Sequence, residues 1–424
     1  MTNKWTEYLR QIGPGFITGV SDDDPSGIAT YTQAGAQFGP LMLWVSLFFF
    51  PLVAGVQEIS ARIGRVSGHG LAGNIRRHYP PELLYLVVVL ISISNIINIG
   101  ADIGGMAAAL ELIAGPDKLH VYPLAISLLS IAALTFLSFG TYSSLLKWVG
   151  LSIFAYVGIA LFVEVPWGEV ARFTLVPHIR LSHDYLSMLT AVMGTTISPY
   201  LFVWQSSLEV EEQRADPHEH PVRTAPREAP AQFLKIRVDT YTGMAVTCVV
   251  MFFIILTSAL TLHLHGVNQI QSAQQAARAL EPIAGRFAFE LFAIGIIGTG
   301  LLAIPTLAGS IGYAVGEAFK WPTGLDYKPY QAVRFYSVIA LATLIGTGLN
   351  FFGVDPIKAL IATAVINGVL SVPLLCALLA IGHNRAIMGQ FTIPLGMAII
   401  GWITAGLMGM SATLTLIDLV APLS

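Results

Sequence analysis

The run Ser21-Asp22-Asp23-Asp24-Pro25-Ser26-Gly27 falls in the middle of the first long apolar stretch of the chain, near residues 12–35. Pro25 removes a helix hydrogen bond and disfavours helical geometry in the residue before it. Gly27 tolerates almost any backbone dihedral. The helix is therefore expected to unwind here, turning freed carbonyl groups and three carboxylates towards one small volume.

The surrounding chain gives that break its meaning. Of the 424 residues 54% are hydrophobic and only 11% are charged, and mean hydropathy is +0.69. A surface of this composition faces lipid or buried neighbours. Apolar windows of roughly 20 residues, enough to cross a ~30 Å hydrocarbon core, recur near 12–35, 40–64, 83–112, 121–139, 144–163, 186–206, 238–263, 288–318, 331–350, 355–380 and 390–419. The chain thus reads as an all-α integral membrane protein of about eleven transmembrane helices. An odd count puts the termini on opposite sides. A cytoplasmic N-terminus and an external C-terminus place sixteen of the 22 Lys and Arg inside and six outside, as the positive-inside rule requires. No cleavable signal peptide is expected, since Lys4 to Arg10 is polar and the first apolar stretch already contains three acids.

An ionisable group in hydrocarbon costs several kcal/mol, so each deep one is a candidate functional residue. Glu58, Glu111, Glu164, Glu209, Glu290, Glu317, Asp355 and Asp418 read as lying towards segment ends, within reach of interfacial water. Asp22, Asp23, Asp24 and Asp102 read as deep. No Lys or Arg is expected at matching depth to pair with the first three, which favours a cation site over a structural kink. The sixth span repeats the device, because Gly194-Thr195-Thr196-Ile197-Ser198-Pro199-Tyr200 sets a proline mid-helix among small and hydroxyl residues. Broken first and sixth spans suggest two five-helix repeats of inverted topology, residues 12–163 and 186–380, with an additional helix at 390–419. All belong to one transmembrane transporter domain, 1–424. Transporters built this way hold substrate at the midplane between the broken helices.

Asn95, Asn98 and Asp102 in the third span share one helix face. That stripe either lines a water-filled path or supports helix packing by hydrogen bonds. Asn367, beside Gly368 in the tenth span, reads first as packing. The polar insert 207–237 reads as a mobile cytoplasmic loop. Its Asp216-Pro217-His218-Glu219-His220 run reads as solvated linker rather than a metal site, for want of preformed geometry. Residues 266–287 read as an external amphipathic helix. Every histidine falls in a loop or at a span end, so the residue best suited to a proton relay near neutral pH is missing from the core. Cys248 and Cys376 read as small buried hydrophobes. The chain carries no P-loop, nucleophile elbow or basic phosphate-tracking patch. It is expected to be neither an enzyme nor a nucleic-acid binder and to use no cofactor. Its expected partners are the bilayer and a transported ion, and the sequence identifies no protein partner.

Gly13-Pro14-Gly15-Phe16, Asp24-Pro25, Ala34-Gly35-Ala36-Gln37-Phe38-Gly39 and Leu43-Trp44-Val45 resemble the start of the NRAMP family of divalent-metal transporters. The likeness runs on through Gln57 to Gly64 and through the sixth span, and the span count agrees along essentially the whole chain. It implies eleven helices in the inverted-repeat fold shared with amino-acid transporters, and alternating access to a metal ion at the midplane. The family's first-helix motif Asp-Pro-Gly-Asn is here Asp24-Pro25-Ser26-Gly27, so the liganding Asn is Gly27. Its sixth-helix motif Ala-x-Ile-Met-Pro-His is here Thr195-Thr196-Ile197-Ser198-Pro199-Tyr200, which replaces the metal-binding Met by Ser198 and the His by Tyr200. Of the paired acids on the family's third helix only Asp102 remains, with Ile99 at the other position. These departures resemble the NRAMP-related magnesium transporters, a prokaryotic branch, and imply a place in a prokaryotic plasma (inner) membrane.

On this resemblance Asp24, Gly27, Thr195 and Ser198 form the metal site, with Asp23, Tyr200, Asp102, Asn98 and Asn367 around it or along the pathway. Thioethers favour later transition metals, whereas oxygen donors suit Mg²⁺, Ca²⁺ and Mn²⁺. Loss of bulk at positions 27 and 198 widens the site. Asp24 is then expected to hold a partly hydrated Mg²⁺ or Mn²⁺ whose waters touch Thr195 and Ser198, since Mg²⁺ gives up water reluctantly. With Tyr200 for His and a single third-helix acid, a proton path is poorly furnished. Import is therefore expected to be weakly or not proton-coupled. A divalent ion gains about 4.6 kcal/mol per 100 mV, twice the ~2.3 for one charge. The competing readings are a proton-coupled Mn²⁺/Fe²⁺ importer, an amino-acid transporter on the same fold, and a non-transporting membrane receptor. The missing Met and His speak against the first, and three adjacent acids at the unwound point against the second; the third stays open. Only the resemblance selects Asp24 among the three acids. Asp22 and Asp23 either cap the half-helix or shape the entrance field.

Overall fold

A computed structural model of the chain describes residues 13–117, 120–136, 158, 164–216, 219–280 and 285–420, and no strand occurs among them. The first span is two helices, α1 (Pro14–Asp22) and α2 (Pro25–Phe38), followed by α3 (Trp44–Ser67), the short α4 (Leu71–His78), α5 (Pro81–Ala114) and α6 (Val121–Phe136). The expected fifth span at 144–163 lies outside the described residues, as do Lys4, Arg10, Lys118 and Lys147. After the short α7 (Trp167–Leu175), the sixth span is again two helices, α8 (His183–Thr196) and α9 (Pro199–Ala215). Then come α10 (Ala229–Thr261), α11 (Ala273–Ala277), α12 (Ala288–Phe319), α13 (Val333–Gly348), α14 (Pro356–His383), α15 (Arg385–Met388) and α16 (Leu395–Val420). Among the described residues eight segments are long and apolar enough to cross a membrane.

Hydrophobic side chains take both roles that a bilayer allows. Leu128 and Leu129 on α6, Leu341 on α13, and Trp402 and Ile403 on α16 are exposed and form lipid-facing surface. By contrast α2 is buried on nearly every side, and it packs against α10, α14, α8 and α5. Both breaks therefore lie inside the bundle. Non-helical backbone is tolerated at this depth for that reason.

Two regions depart from expectation. The insert 207–237 is not a mobile loop, because α9 runs to Ala215, a 3-10 turn occupies Pro226–Glu228, and α10 begins at Ala229. The connection is stitched down, with Val222 N–H and Arg223 N–H donating to the Arg65 and Val66 carbonyls at 3.1 and 3.2 Å. Three of its acids, Glu209, Glu212 and Glu219, serve an ion-pair network around the buried Arg65. Arg65 meets Glu209 at 2.8 Å and also pairs with Glu212 and Glu219, while Arg62 meets Glu58 at 2.7 Å. Glu58 and Glu209, expected at the interface, are accordingly buried, their burial offset by these arginines. Removing one partner of such a buried pair typically costs about 3–5 kcal/mol. Glu219 is committed to Arg65, and Pro217 and His218 lie outside the described residues.

The segment 266–287 is not one amphipathic helix. Short turns and α11 fold over the far end of α2, burying Ile270, Ala273 and Ala277. Gln33 on α2 supplies the hydrogen bonds that a continuous helix would have made internally. Its Nε2 donates to the Asn268 carbonyl at 3.1 Å, and its Oε1 accepts from Ile270 N–H at 2.8 Å. Cys248 is buried as expected, whereas Cys376 is exposed on α14.

Candidate functional site

Between α1 and α2 only Asp23 and Asp24 are non-helical. Asp24 caps α2: its Oδ1 accepts from Gly27 N–H at 2.6 Å, and its Oδ2 accepts from Asn98 Nδ2 on α5 at 3.2 Å. Its charge thus sits at the positive end of a helix dipole, where a carboxylate is stabilised. Asp22 and Asp23 lie at the opposite, negative end of α1. Both are buried, and both carboxylate oxygens of Asp22 and one of Asp23 have no hydrogen-bond donor. Tyr31 on α2 and Cys248 on α10 lie within electrostatic reach of this pair. Among the described residues no Lys or Arg forms an ion pair with any of the three acids.

In the sixth span Ile197 and Ser198 form the break. Ser198 Oγ donates to the Gly194 and Thr195 carbonyls at 2.9 and 2.8 Å, and Ser371 on α14 donates to the Ile197 carbonyl at 2.9 Å. The two breaks meet at Gly27. A Cβ placed there would lie 3.3 Å from Thr195 Oγ1 and 3.5 Å from both the Asp22 carbonyl oxygen and Asp24 Oδ1. The absent side chain leaves a space walled by a hydroxyl, a carbonyl and a carboxylate. The Tyr200 hydroxyl lies beside the Asp24 carboxylate, near enough to act on it as a donor though outside strict hydrogen-bond geometry.

The third-span stripe divides between its two readings. Asn98 reaches Asp24, whereas Asn95 donates to the Leu307 carbonyl on α12 at 3.0 Å and so ties helices together. Asp102 is fully buried, lies within electrostatic reach of Asp24, and faces the Ser26 backbone N–H, with neither carboxylate oxygen in strict hydrogen-bond geometry. Asn367 accepts a hydrogen bond from Ser94, a helix-to-helix contact between α14 and α5. Among the described residues no three His, Cys, Asp or Glu converge as a metal cage. The groups nearest the Gly27 position are a carboxylate, a hydroxyl and a backbone carbonyl, donor types that suit hard ions. Asp24, Thr195, Ser198 and Tyr200 are all buried, so the junction is closed to both faces.

Sequence reasoning missed Asp239 on α10, whose carboxylate accepts the backbone N–H groups of Gly13, Gly15 and Phe16 at 2.9, 2.6 and 3.2 Å. A signal was present. Helix α1 starts at Gly13-Pro14-Gly15 with no capping side chain of its own, so its orphan donors needed a remote acceptor.

The chain matches the family described as Natural resistance-associated macrophage protein-like, Nramp, over residues 15–418, and it belongs to that family. It is 25% identical over 415 residues to the divalent metal cation transporter MntH of Klebsiella pneumoniae (strain 342), covering 93% of this chain and 91% of the relative. The MntH of Yersinia enterocolitica is 26% identical over 392 residues, covering 90% and 88%. Among solved structures the Eremococcus coleocola manganese transporter is similar in fold, with a TM-score of 0.74 at 17% identity over 100% of this chain and 90% of the other. Mhp1, a nucleobase-cation-symport-1 family transporter, shares the architecture more distantly, with a TM-score of 0.55 at 13% identity over 97% and 94%.

Proposed function

We propose that this member of the Nramp family carries divalent metal cations through a prokaryotic inner membrane by alternating access, binding the ion at the junction of the two broken helices. One observation carries the reading. The Gly27 position is bounded by Thr195 Oγ1, the Asp22 carbonyl and the Asp24 carboxylate, and among the described residues no Lys or Arg pairs with that charge. The curated relatives named divalent metal cation transporters, and the manganese transporter of similar fold, support Mn²⁺ as cargo. The excess of basic residues on the N-terminal face supports a cytoplasmic N-terminus.

A second reading extends the cargo to Mg²⁺. The atoms nearest the Gly27 position are all oxygen, the donor type that Mg²⁺ takes. Ser198 supplies no thioether to favour Mn²⁺ or Fe²⁺. The same site bears on coupling: Tyr200 stands in the family's His position, and Asp102 is the one buried acid left on α5.

Purified protein in liposomes tests both readings, with Mn²⁺- and Mg²⁺-sensitive dyes and a pH dye inside. Mn²⁺ influx without lumenal acidification, reduced by millimolar external Mg²⁺, is the expected result. Mn²⁺ influx undiminished by Mg²⁺ removes the second reading. Acidification that tracks metal entry replaces the uncoupled mechanism with proton-coupled Mn²⁺/Fe²⁺ import. Absence of any metal flux overturns the transport reading itself.

A further inference from the structure

We propose that Asp239 is a positioning residue, the latch that holds α1 shut across the inner mouth of the ion site; this rests on the transport reading above. Helix α1 has nine residues and joins α2 only through the non-helical Asp23 and Asp24. A helix this short is marginal by itself, so lateral contacts decide where it sits. Those contacts are concentrated on α10. All three N–H donors at the start of α1 that Asp239 satisfies belong to residues without another capping group, and Asp239 itself is only 7% exposed. Among the described residues it forms no ion pair. The carboxylate is therefore stabilised by the start of α1 rather than by a cationic side chain.

The rest of the contact suits separation. A Cβ at Gly15 would lie 2.7 Å from Thr240 N, and one at Gly19 would lie 2.4 Å from the Gly243 carbonyl carbon. Backbone therefore rests on backbone, and Thr247 Oγ1 donates to the Gly19 carbonyl at 2.7 Å. Where Gly15 and Gly19 meet α10 no α1 side chain has to be withdrawn, so α1 can leave α10 as a rigid body, turning about Asp23-Asp24. A few terminal residues that absorb the backbone change are what a hinge requires. The inward-facing flank of α1 carries Thr18, fully buried and hydrogen-bonded to Gln205 on α9. Departure of α1 would uncover it to the cytoplasm and open a route to the junction.

The test uses Thr18→Cys in a Cys248→Ser, Cys376→Ser background, labelled with an impermeant maleimide from the cytoplasmic side of inside-out vesicles. Asp239→Asn should speed labelling at least fivefold and raise the external KM for Mn²⁺ several-fold, because a smaller fraction of molecules presents the outward-competent state. Asp239→Glu should return labelling to within about twofold of the parent, as expected if the negative acceptor is what matters. Labelling at the parental rate in Asp239→Asn overturns the latch. Should that variant fail to fold, Gly15→Ala pries the same contact apart from the other side. Faster labelling there supports the latch, and unchanged labelling overturns it. Labelling requires no metal flux, so a chain that moves no metal would sink the transport reading without deciding this one.

Discussion

In the first broken span the residue before proline is Asp24, and in the sixth it is Ser198. Asp24 turns forward, capping α2 at Gly27 N–H and taking a second hydrogen bond from Asn98. Ser198 turns back onto the Gly194 and Thr195 carbonyls and makes no side-chain cap on α9. One break thus presents a formal charge to the junction, and the other closes off its own backbone and contributes neutral dipoles. The difference teaches how selectivity and attraction are divided. On the proposed function, attraction for a cation would lie with the first span, where Asp24 caps a helix start, and the sixth span would set the size and softness of the opposite wall.

The strongest challenge to this division is Asp24→Ala, expected to lower Mn²⁺ uptake into liposomes more than 100-fold while the protein stays monodisperse. Asp24→Asn sharpens it, keeping a cap acceptor but no charge, and should be nearly as inactive. Uptake retained by either variant would mean that the charge is not concentrated in the first break. A smaller effect is expected for Gly27→Asn. Its new side chain enters the space 3.3 Å from Thr195 Oγ1 and should cut Mg²⁺ uptake about tenfold while sparing Mn²⁺, as read by competition between the two ions. Equal loss for both would indicate simple obstruction rather than a change in hydration.

Ser198→Met should move preference towards Mn²⁺ and Cd²⁺ by a few fold, measured as relative inhibition of uptake, with little change in total flux. It also removes the hydroxyl bond to α8, worth about 1 kcal/mol, so a slightly lower thermal midpoint is expected alongside. An unchanged preference would show that the sixth-span wall does not touch the ion. The least effect is expected for Asn367→Ala. It loses the contact with Ser94 and should cost about 1 kcal/mol of stability with selectivity intact. Altered selectivity there would place the tenth span on the ion path.

Much of this arrangement was legible before any coordinates. Pro25 and Pro199 act on their own backbone and their immediate predecessors, so both breaks stood in the sequence. The apolar windows gave helix positions to within a few residues at α5, α12 and α14, because run length against bilayer thickness is a local property. Glu58 and Glu209 were misplaced because hydropathy locates a residue along a helix but does not show which carboxylate an arginine will neutralise, Arg62 one turn on for Glu58 and Arg65 on another helix for Glu209. The insert 207–237 was misread for a related reason: a charge-rich segment looks alike in sequence whether it is hydrated or folded into an ion-pair network such as that around Arg65.

By itself, then, the sequence determined where helices run, where two of them break and which chemical groups stand at the breaks, since each depends on neighbours along the chain. Tertiary structure alone decided which way those groups point. That Asp24 faces the junction, that Asn98 serves it while Asn95 does not, and that Asp239 grips a helix start 226 positions away all follow from partners on distant helices. A carboxylate buried in a bilayer takes the direction in which donors are found, and donors at that distance in sequence are brought within reach only by the packed bundle.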